Sequence, residues 1–263
     1  SHIAAGNTAP FEVHLPTSLE PYFYIRDFGT GLSHEQVTSI YTTYFESTKT
    51  GSNDFIGALG LGSKSPFSYT DNFTVTAIQN GKKGIYTAFI NEAGVPSIAL
   101  MMTEDTDEPS GVEVKFAVND RYDFSKFADE ARTVYTYFAL RPVVTGVTGF
   151  TFRDVEYDTK DIVPGVHSYK DGRRSVAIMG NIAYPVQVEN LIGEEKVETP
   201  DHIARWNRAF NKADIASWKS FVGEVINHGL YLELDFGIGE LEMDVSREGL
   251  QYTKTVIKNL RGK

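Results

Sequence analysis

Three glycines, Gly57, Gly60 and Gly62, occur within six consecutive positions and run into a predicted helix that opens Ser63-Lys64-Ser65-Pro66. Glycine lets the backbone approach a ligand closely, because no Cβ stands in the way. The first turn of a helix offers unpaired N–H groups and a partial positive charge to an anion. The spacing therefore predicts that these glycines, with Ser63 and Lys64, bind phosphates. The segment is not a Walker A loop, and a flexible loop that ends at a helix start would use the same residues.

An acidic turn precedes this segment. Asp27 ends a predicted strand and is followed by Gly29 and Gly31. A carboxylate in that position can accept a hydrogen bond from an exocyclic amine such as adenine N6, while the glycines let a base lie against the backbone. The alternative is an Asx-type turn in which glycine supplies a positive φ.

Two further segments carry cations that suit phosphate groups. Ser47, Thr48 and Lys49 lie in the loop before the glycines, and a lysine there is a mobile point charge with three donors. Arg247 follows Ser246 at the predicted start of the last helix, where an arginine can neutralise a terminal phosphate. The alternatives are a solvated lysine and a helix start capped by Ser246. No pair of histidines has metal-ligand spacing, so no metal site is predicted.

The elements that must position these residues follow an α+β pattern. Asn80-Gly81 predicts a type I′ hairpin, Ser33 predicts a helix N-cap, and a run of antiparallel strands beside helices predicts a two-layer sandwich. Strands are predicted at 11–15, 21–27, 72–79, 84–91, 95–103, 111–118, 147–157, 174–179, 183–189 and 229–236, and helices at 33–44, 60–69, 123–140, 201–227 and 246–261. The acidic run 104–108 is predicted to be a solvated turn. The domain boundary is predicted between 120 and 145, giving domains 1–120 and 121–263.

Composition restricts the function. The chain has 263 residues, 41% of them hydrophobic, and a formal net charge of -10, which disfavours broad nucleic-acid binding. The absence of cysteine excludes disulfides, thiolate metal sites and cysteine nucleophiles, and fits a cytosolic protein. No apolar run approaches the roughly 18 residues of a membrane span. No signal peptide is recognisable.

The motifs together resemble a known superfamily. Asp27-x-Gly29-x-Gly31, Ser47-Thr48-Lys49 and Gly57-x-x-Gly60-x-Gly62 are similar to the ATP-binding domain shared by Hsp90, DNA gyrase B, MutL and histidine kinases, the GHKL ATPases. The segment 244–251 resembles the part of the Hsp90 middle domain whose arginine reaches the ATP γ-phosphate. Over nearly the whole chain, most strongly at 22–118 and 244–252, the sequence resembles the rIIA lysis-inhibitor proteins of tailed bacteriophages.

The resemblance implies a Bergerat-type two-layer α/β sandwich over 1–120, followed by a ribosomal-S5-like α/β domain over 121–263. ATP or ADP would bind with Mg²⁺. Asp27 would hold adenine, Gly29 and Gly31 would shape the floor beneath it, residues 47–62 would form a lid over the phosphates, and Arg247 would arrive from the second domain. The rIIA proteins are associated with lysis timing and resistance to prophage exclusion in the infected bacterial cytoplasm. By analogy the expected partners are an unidentified protein, a second copy of the chain and, peripherally, the inner membrane.

Two departures from the superfamily matter. Its water-activating glutamate and Mg²⁺-binding asparagine lie on a helix that would precede Ser1, so we expect the chain to be part of a longer protein or a poor ATPase. Val112 also stands where relatives often have threonine. Three hypotheses follow: an ATP-driven conformational clamp, a nucleotide-binding scaffold that acts through protein contacts, and a DNA-handling relative, which the negative charge disfavours.

Overall fold

The computed structural model describes residues 6–42, 62–157, 159–163, 166–169, 174–191, 220, 231–244 and 249–263. The chain forms two compact units, Ser1–Arg153 and Asp154–Lys263. Among the described residues, no helix is both long and apolar enough to cross a membrane.

The first unit is built on a seven-stranded sheet in the order β5-β4-β3-β6-β2-β1-β7. Neighbouring strands are antiparallel, apart from the parallel pair of β1 and β7. The strands are β1 Glu12–His14, β2 Tyr22–Arg26, β3 Asn72–Gln79, β4 Lys82–Ile90, β5 Pro96–Asp105, β6 Gly111–Ala117 and β7 Val143–Thr145; the helices are α1 His34–Thr42, α2 Arg121–Val134 and two 3₁₀ helices, Gly62–Ser68 and Tyr135–Tyr137.

One face of this sheet packs against the helices. Side chains alternate along a strand, so β3 places Phe73, Val75 and Ala77 in the core. They share a cluster with Val37 and Tyr41 of α1. A second cluster joins Val13 and Leu15 to Ala128, Ala131 and Tyr135, which anchors α2 and the 3₁₀ helix after it. The result is a sheet with one helix-covered face.

The predicted hairpin turn and the predicted helix cap of the first unit are both confirmed. Asn80 and Gly81 have φ values of 52° and 73°, as a type I′ turn requires. Ser33 caps α1 through a reciprocal pair of hydrogen bonds, in which Gln36 N donates to Ser33 Oγ (3.2 Å) and Ser33 N donates to Gln36 Oε1 (2.9 Å).

Three elements of the first unit differ from the prediction. The helix expected at 60–69 is a 3₁₀ helix over Gly62–Ser68, with Pro66 inside it. The helix expected at 123–140 spans Arg121–Val134. The strand expected at 147–157 was wrong: Phe150 and Phe152 pack into the α2 cluster from irregular chain, and β7 supplies the strand instead. Strand β7, which pairs with β1, belongs to the first compact unit, and the units divide after Arg153.

The second unit contains a five-stranded sheet in the order β11-β10-β12-β9-β8, with β10 and β12 parallel. Its strands are β8 Thr159–Val163, β9 Val166–Tyr169, β10 Val176–Met179, β11 Ile182–Pro185 and β12 Tyr231–Phe236, and helix α3 spans Lys254–Gly262. Val256 and Leu260 of α3 pack on Leu232 and Leu234 of β12 in one core cluster. The helix expected at 201–227 lies almost entirely outside the described residues.

The last helix begins later than predicted. Thr253, not Ser246, caps α3, and its hydroxyl accepts from Val256 N at 3.2 Å. The start at 246 was wrong because Leu250 forms an antiparallel bridge with Met243, so the backbone there is committed to strand-like pairing.

Candidate functional site

Asp27 lies directly after β2, beside the start of β6. Its backbone N–H donates to the Val112 carbonyl at 2.9 Å, and its Oδ1 accepts from Gly29 N at 2.8 Å. Burial and, secondarily, the Asp27 charge raise the pKa of the Tyr41 hydroxyl on α1. Phe23 of β2 packs in the helix-covered cluster, and Asp27 follows it by four residues, so the alternation of side chains directs the carboxylate to the same side of the sheet. The Asx-type turn and an adenine-binding role are compatible, since the turn fixes the carboxylate's orientation.

The turn after Asp27 packs against neighbouring backbone so closely that it requires glycine. Gly31 has a φ of +69°, and a Cβ there would lie 1.8 Å from the Ile78 carbonyl oxygen. A Cβ on Gly111 would lie 2.0 Å from the Asp27 carbonyl oxygen. Gly29, which lies between Asp27 and Gly31 in the sequence, is buried. Asp27, Gly29 and Gly31 thus lie in one tightly packed turn with Gly111 beside it, and their adenine-binding role stays a prediction.

Two side chains that were not predicted also fasten this turn. Asn7 Nδ2 donates to the Phe28 carbonyl at 2.9 Å, and Gln79 Nε2 donates to the Thr30 carbonyl at 3.4 Å. No local sequence signal connects Asn7 or Gln79 with residues 28–30, because both contacts depend on the tertiary fold.

Ser63 and Lys64 are directed to the end of α1. Lys64 Nζ and Ser63 Oγ both donate to the Ile40 carbonyl, the hydroxyl at 3.3 Å, and Lys64 is 8% exposed. A cation suits this position because the C-terminal turn of a helix carries unpaired carbonyls and partial negative charge. Gly62 begins the 3₁₀ helix. The phosphate role of these three residues stays a prediction.

The remaining predicted residues, Ser47, Thr48, Lys49, Gly57, Gly60 and Arg247, lie outside the described residues. Backbone hydrogen bonds join the chain on either side of residues 245–248. Asp244 N donates to the Gly249 carbonyl at 3.0 Å, and Gln251 N donates to the Glu242 carbonyl at 2.9 Å.

The opposite face of the first sheet carries a polar cluster that was not predicted. Register aligns Arg26, Glu113, Thr76 and Ile85 across four strands. They line a pocket of about 160 Å³ with Ile78, Lys83, Glu108 and Gly111.

Ion pairs organise this pocket. Glu108 accepts from Lys83 Nζ at 2.7 Å and from Arg26 Nη2 at 3.1 Å, and the Lys83 bond lowers the pKa of Glu108. Burial instead raises the pKa of Glu113. The predicted solvated turn at 104–108 was wrong in part, because Glu104 and Asp105 belong to β5 and pair with Lys83 and Lys82.

Solved structures of topoisomerase II share this fold. The ATPase region of Saccharomyces cerevisiae topoisomerase II bound to ICRF-187 (dexrazoxane) aligns with a TM-score of 0.53 and 10% identity over 97% of this chain and 78% of that chain. A second structure of that yeast region gives a TM-score of 0.51 and 12% identity over 97% and 77% of the chains. The ATPase and transducer domains of Balamuthia mandrillaris topoisomerase II give 0.54 and 12% over 98% and 77%.

No protein-family model matches the sequence, and no curated protein matches it significantly. At 10–12% identity the structural likeness concerns the fold. It confirms the predicted class: a Bergerat-type α/β sandwich followed by an S5-like α/β domain.

Proposed function

We propose that the chain binds ATP or ADP on the helix-covered face of the first sheet and acts as a nucleotide-dependent conformational switch. The observation that carries the proposal is the placement of Asp27. The carboxylate follows β2, lies beside the start of β6 and is oriented by Gly29 N. This arrangement occurs in a fold shared with the topoisomerase II ATPase regions.

Recognition of adenine follows from this geometry. The N–H of Gly29 holds one carboxylate oxygen, so Asp27 presents a preoriented acceptor to an exocyclic amine without an additional ordering cost. Gly31 and Gly111 keep the turn close to β3 and β6, where side chains would otherwise displace it. A base bound there would lie against backbone rather than against bulky side chains.

The phosphate groups are proposed to contact residues 47–62, Ser63 and Lys64, and the γ-phosphate to contact Arg247. Mg²⁺ would supply charge neutralisation on the phosphates when it is bound. The resemblance assigns the asparagine ligand and the water-activating glutamate to the helix that precedes the first strand in this superfamily. Slow hydrolysis is therefore proposed for a protein that includes that helix.

A nucleotide-binding scaffold is the second candidate. The engagement of Ser63 and Lys64 with the Ile40 carbonyl favours it, because donors used to close α1 are withdrawn from phosphates. On the basis of the rIIA-like resemblance, we propose that either activity operates in the cytoplasm of an infected bacterium. There the switch would influence lysis timing or prophage exclusion through a protein partner, a second copy of the chain or peripheral contact with the inner membrane.

An arginine substitution tests the switch and separates the two candidates. Arg247→Ala and the control Arg121→Ala, an exposed residue of the first unit, are compared with the parent in a chain extended upstream. Binding of a fluorescent ATP analogue and release of phosphate are both measured. We expect Arg247→Ala to lower turnover by about 10³-fold or more while binding changes little.

The other possible results of this comparison distinguish the two candidates or overturn the proposal. Binding without turnover in the parent favours the scaffold over the clamp. Equal turnover in parent and Arg247→Ala removes Arg247 from the reaction. Absence of saturable binding by the parent would overturn the proposed function itself.

A further inference from the structure

One face of the second sheet brings an imidazole and two carboxylates together. His167 of β9 lies directly opposite Glu233 of β12 in the antiparallel register. Asp235 follows two positions along β12 and therefore projects from the same face. One ligand atom from each of the three side chains lies within 4.8 Å of the other two. His167 Nε2 is 3.5 Å from Asp235 Oδ2.

The three side chains differ in exposure. Glu233 is 4% exposed and His167 is 7% exposed, whereas Asp235 is exposed to solvent. Glu233 lies on one face of β12, and Leu232, Leu234 and Phe236 lie on the other face, where they pack in the core cluster that contains α3. The cluster thus has a buried interior and a solvent-accessible side through which an ion can enter.

Tyr157 fixes the buried carboxylate. Its hydroxyl donates to Glu233 Oε1 at 2.5 Å, and its ring centroid lies 5.0 Å from that of His167. An outer hydrogen bond of this kind orients a ligating group and limits its motion, as the surroundings of metal-binding side chains commonly do. Glu233 is therefore preoriented toward the other two groups.

The chemistry of the cluster favours a cation. Two carboxylates at this separation repel each other, and burial adds a desolvation cost for the ionised Glu233. A divalent ion between them offsets both effects. Imidazole nitrogen with carboxylate oxygen suits zinc and other first-row divalent ions, whereas magnesium and calcium prefer oxygen ligands alone.

We propose that His167, Glu233 and Asp235 form a binding site for Zn²⁺ or a related first-row divalent ion, which ties β9 to β12 and stabilises the second sheet. None of the three residues belongs to the proposed nucleotide site. No local sequence pattern indicates the site, because β9 and β12 are far apart in the chain and only their register brings the three residues together. The competing arrangement is an ion pair between protonated His167 and Asp235.

Zinc titration of the metal-stripped chain tests the proposal. Calorimetry measures binding of Zn²⁺ alone to the parent, Asp235→Asn, His167→Ala and the control His34→Asn, which removes an exposed imidazole in the first unit. We expect one saturable site in the parent and control, weakened at least about tenfold in the other two variants. Because Asp235 is exposed, its isosteric variant tests the site even if His167→Ala fails to fold.

Titrations with Co²⁺ and Mg²⁺ test which class of ion the site binds. Bound Co²⁺ is expected to give visible absorption that Asp235→Asn diminishes, and Mg²⁺ at the same concentration is expected not to compete. Two outcomes would overturn the site: no saturable zinc binding by the parent, or zinc binding that neither Asp235→Asn nor His167→Ala weakens. Preference for Mg²⁺ over Zn²⁺ would overturn the assigned class of ion.

Discussion

Replacement of Gly31 by alanine should destabilise the first unit because two costs coincide at that position. The backbone φ is +69°, a left-handed conformation that costs an L-residue about 1–2 kcal/mol. The added Cβ would lie 1.8 Å from the Ile78 carbonyl oxygen, so the chain must move about 1.6 Å to reach an ordinary contact of 3.4 Å. Forced displacement of this kind costs about 1–3 kcal/mol.

Gly94 provides a matched control. Its φ is +75°, but a Cβ there would meet nothing within 4 Å. Gly94→Ala should therefore lose about 1–2 kcal/mol of unfolding free energy and Gly31→Ala about 2–5 kcal/mol. Urea unfolding followed by far-UV circular dichroism measures both, and hydrogen exchange of the β3 amides assigns the loss to the first unit. A loss for Gly31→Ala no greater than that for Gly94→Ala would refute the close-packing argument.

Three further predictions concern side chains of the first unit. Burial raises the pKa of Glu113, so its ionisation lowers the unfolding free energy as the pH rises through the folded-state pKa. Glu113→Gln should therefore raise the unfolding free energy at pH 7 and leave it unchanged near pH 4. Lys83 lowers the pKa of Glu108, so Glu108→Gln should lower the unfolding free energy at pH 7, and this difference should vanish as the pH falls through that pKa. Urea titrations at several pH values measure the effects of both glutamate substitutions. Equal responses of the two variants would contradict the assignments. Ser33→Ala removes the cap of α1 and should cost about 1 kcal/mol in the same assay, whereas no loss would mean that the capping pair contributes nothing.

The features that sequence predicted well are those fixed by neighbouring residues. Asn80-Gly81 determines its hairpin because both residues tolerate a positive φ, and Ser33 caps α1 through a residue three positions later. The Asp27 turn belongs to the same class, since Gly29 N is within reach of the carboxylate two residues away. The predictions for these segments needed no knowledge of distant chain.

The features that sequence missed depend on distant partners. A strand was predicted at 147–157, yet Phe150 and Phe152 join the α2 cluster and β7 pairs with β1. Likewise, the hydrogen bond from the Lys64 ammonium to the Ile40 carbonyl was not predicted, while the phosphate role of Lys64 stays a prediction. The pairing of Glu108 with Arg26 and Lys83 joins three separate strands or loops in the same way.

Titration of Mg²⁺-ATP and ADP against the parent, Asp27→Asn and the control Asp107→Asn tests the central claim most directly. Asp107 is an exposed carboxylate of the same unit, so its variant matches the change in charge. A hydrogen bond to a charged group contributes about 1.5–3 kcal/mol. We therefore predict saturable binding by the parent and control that weakens about 10- to 150-fold in Asp27→Asn. Equal affinity of parent and Asp27→Asn, or no binding by the parent, would contradict a nucleotide site at Asp27.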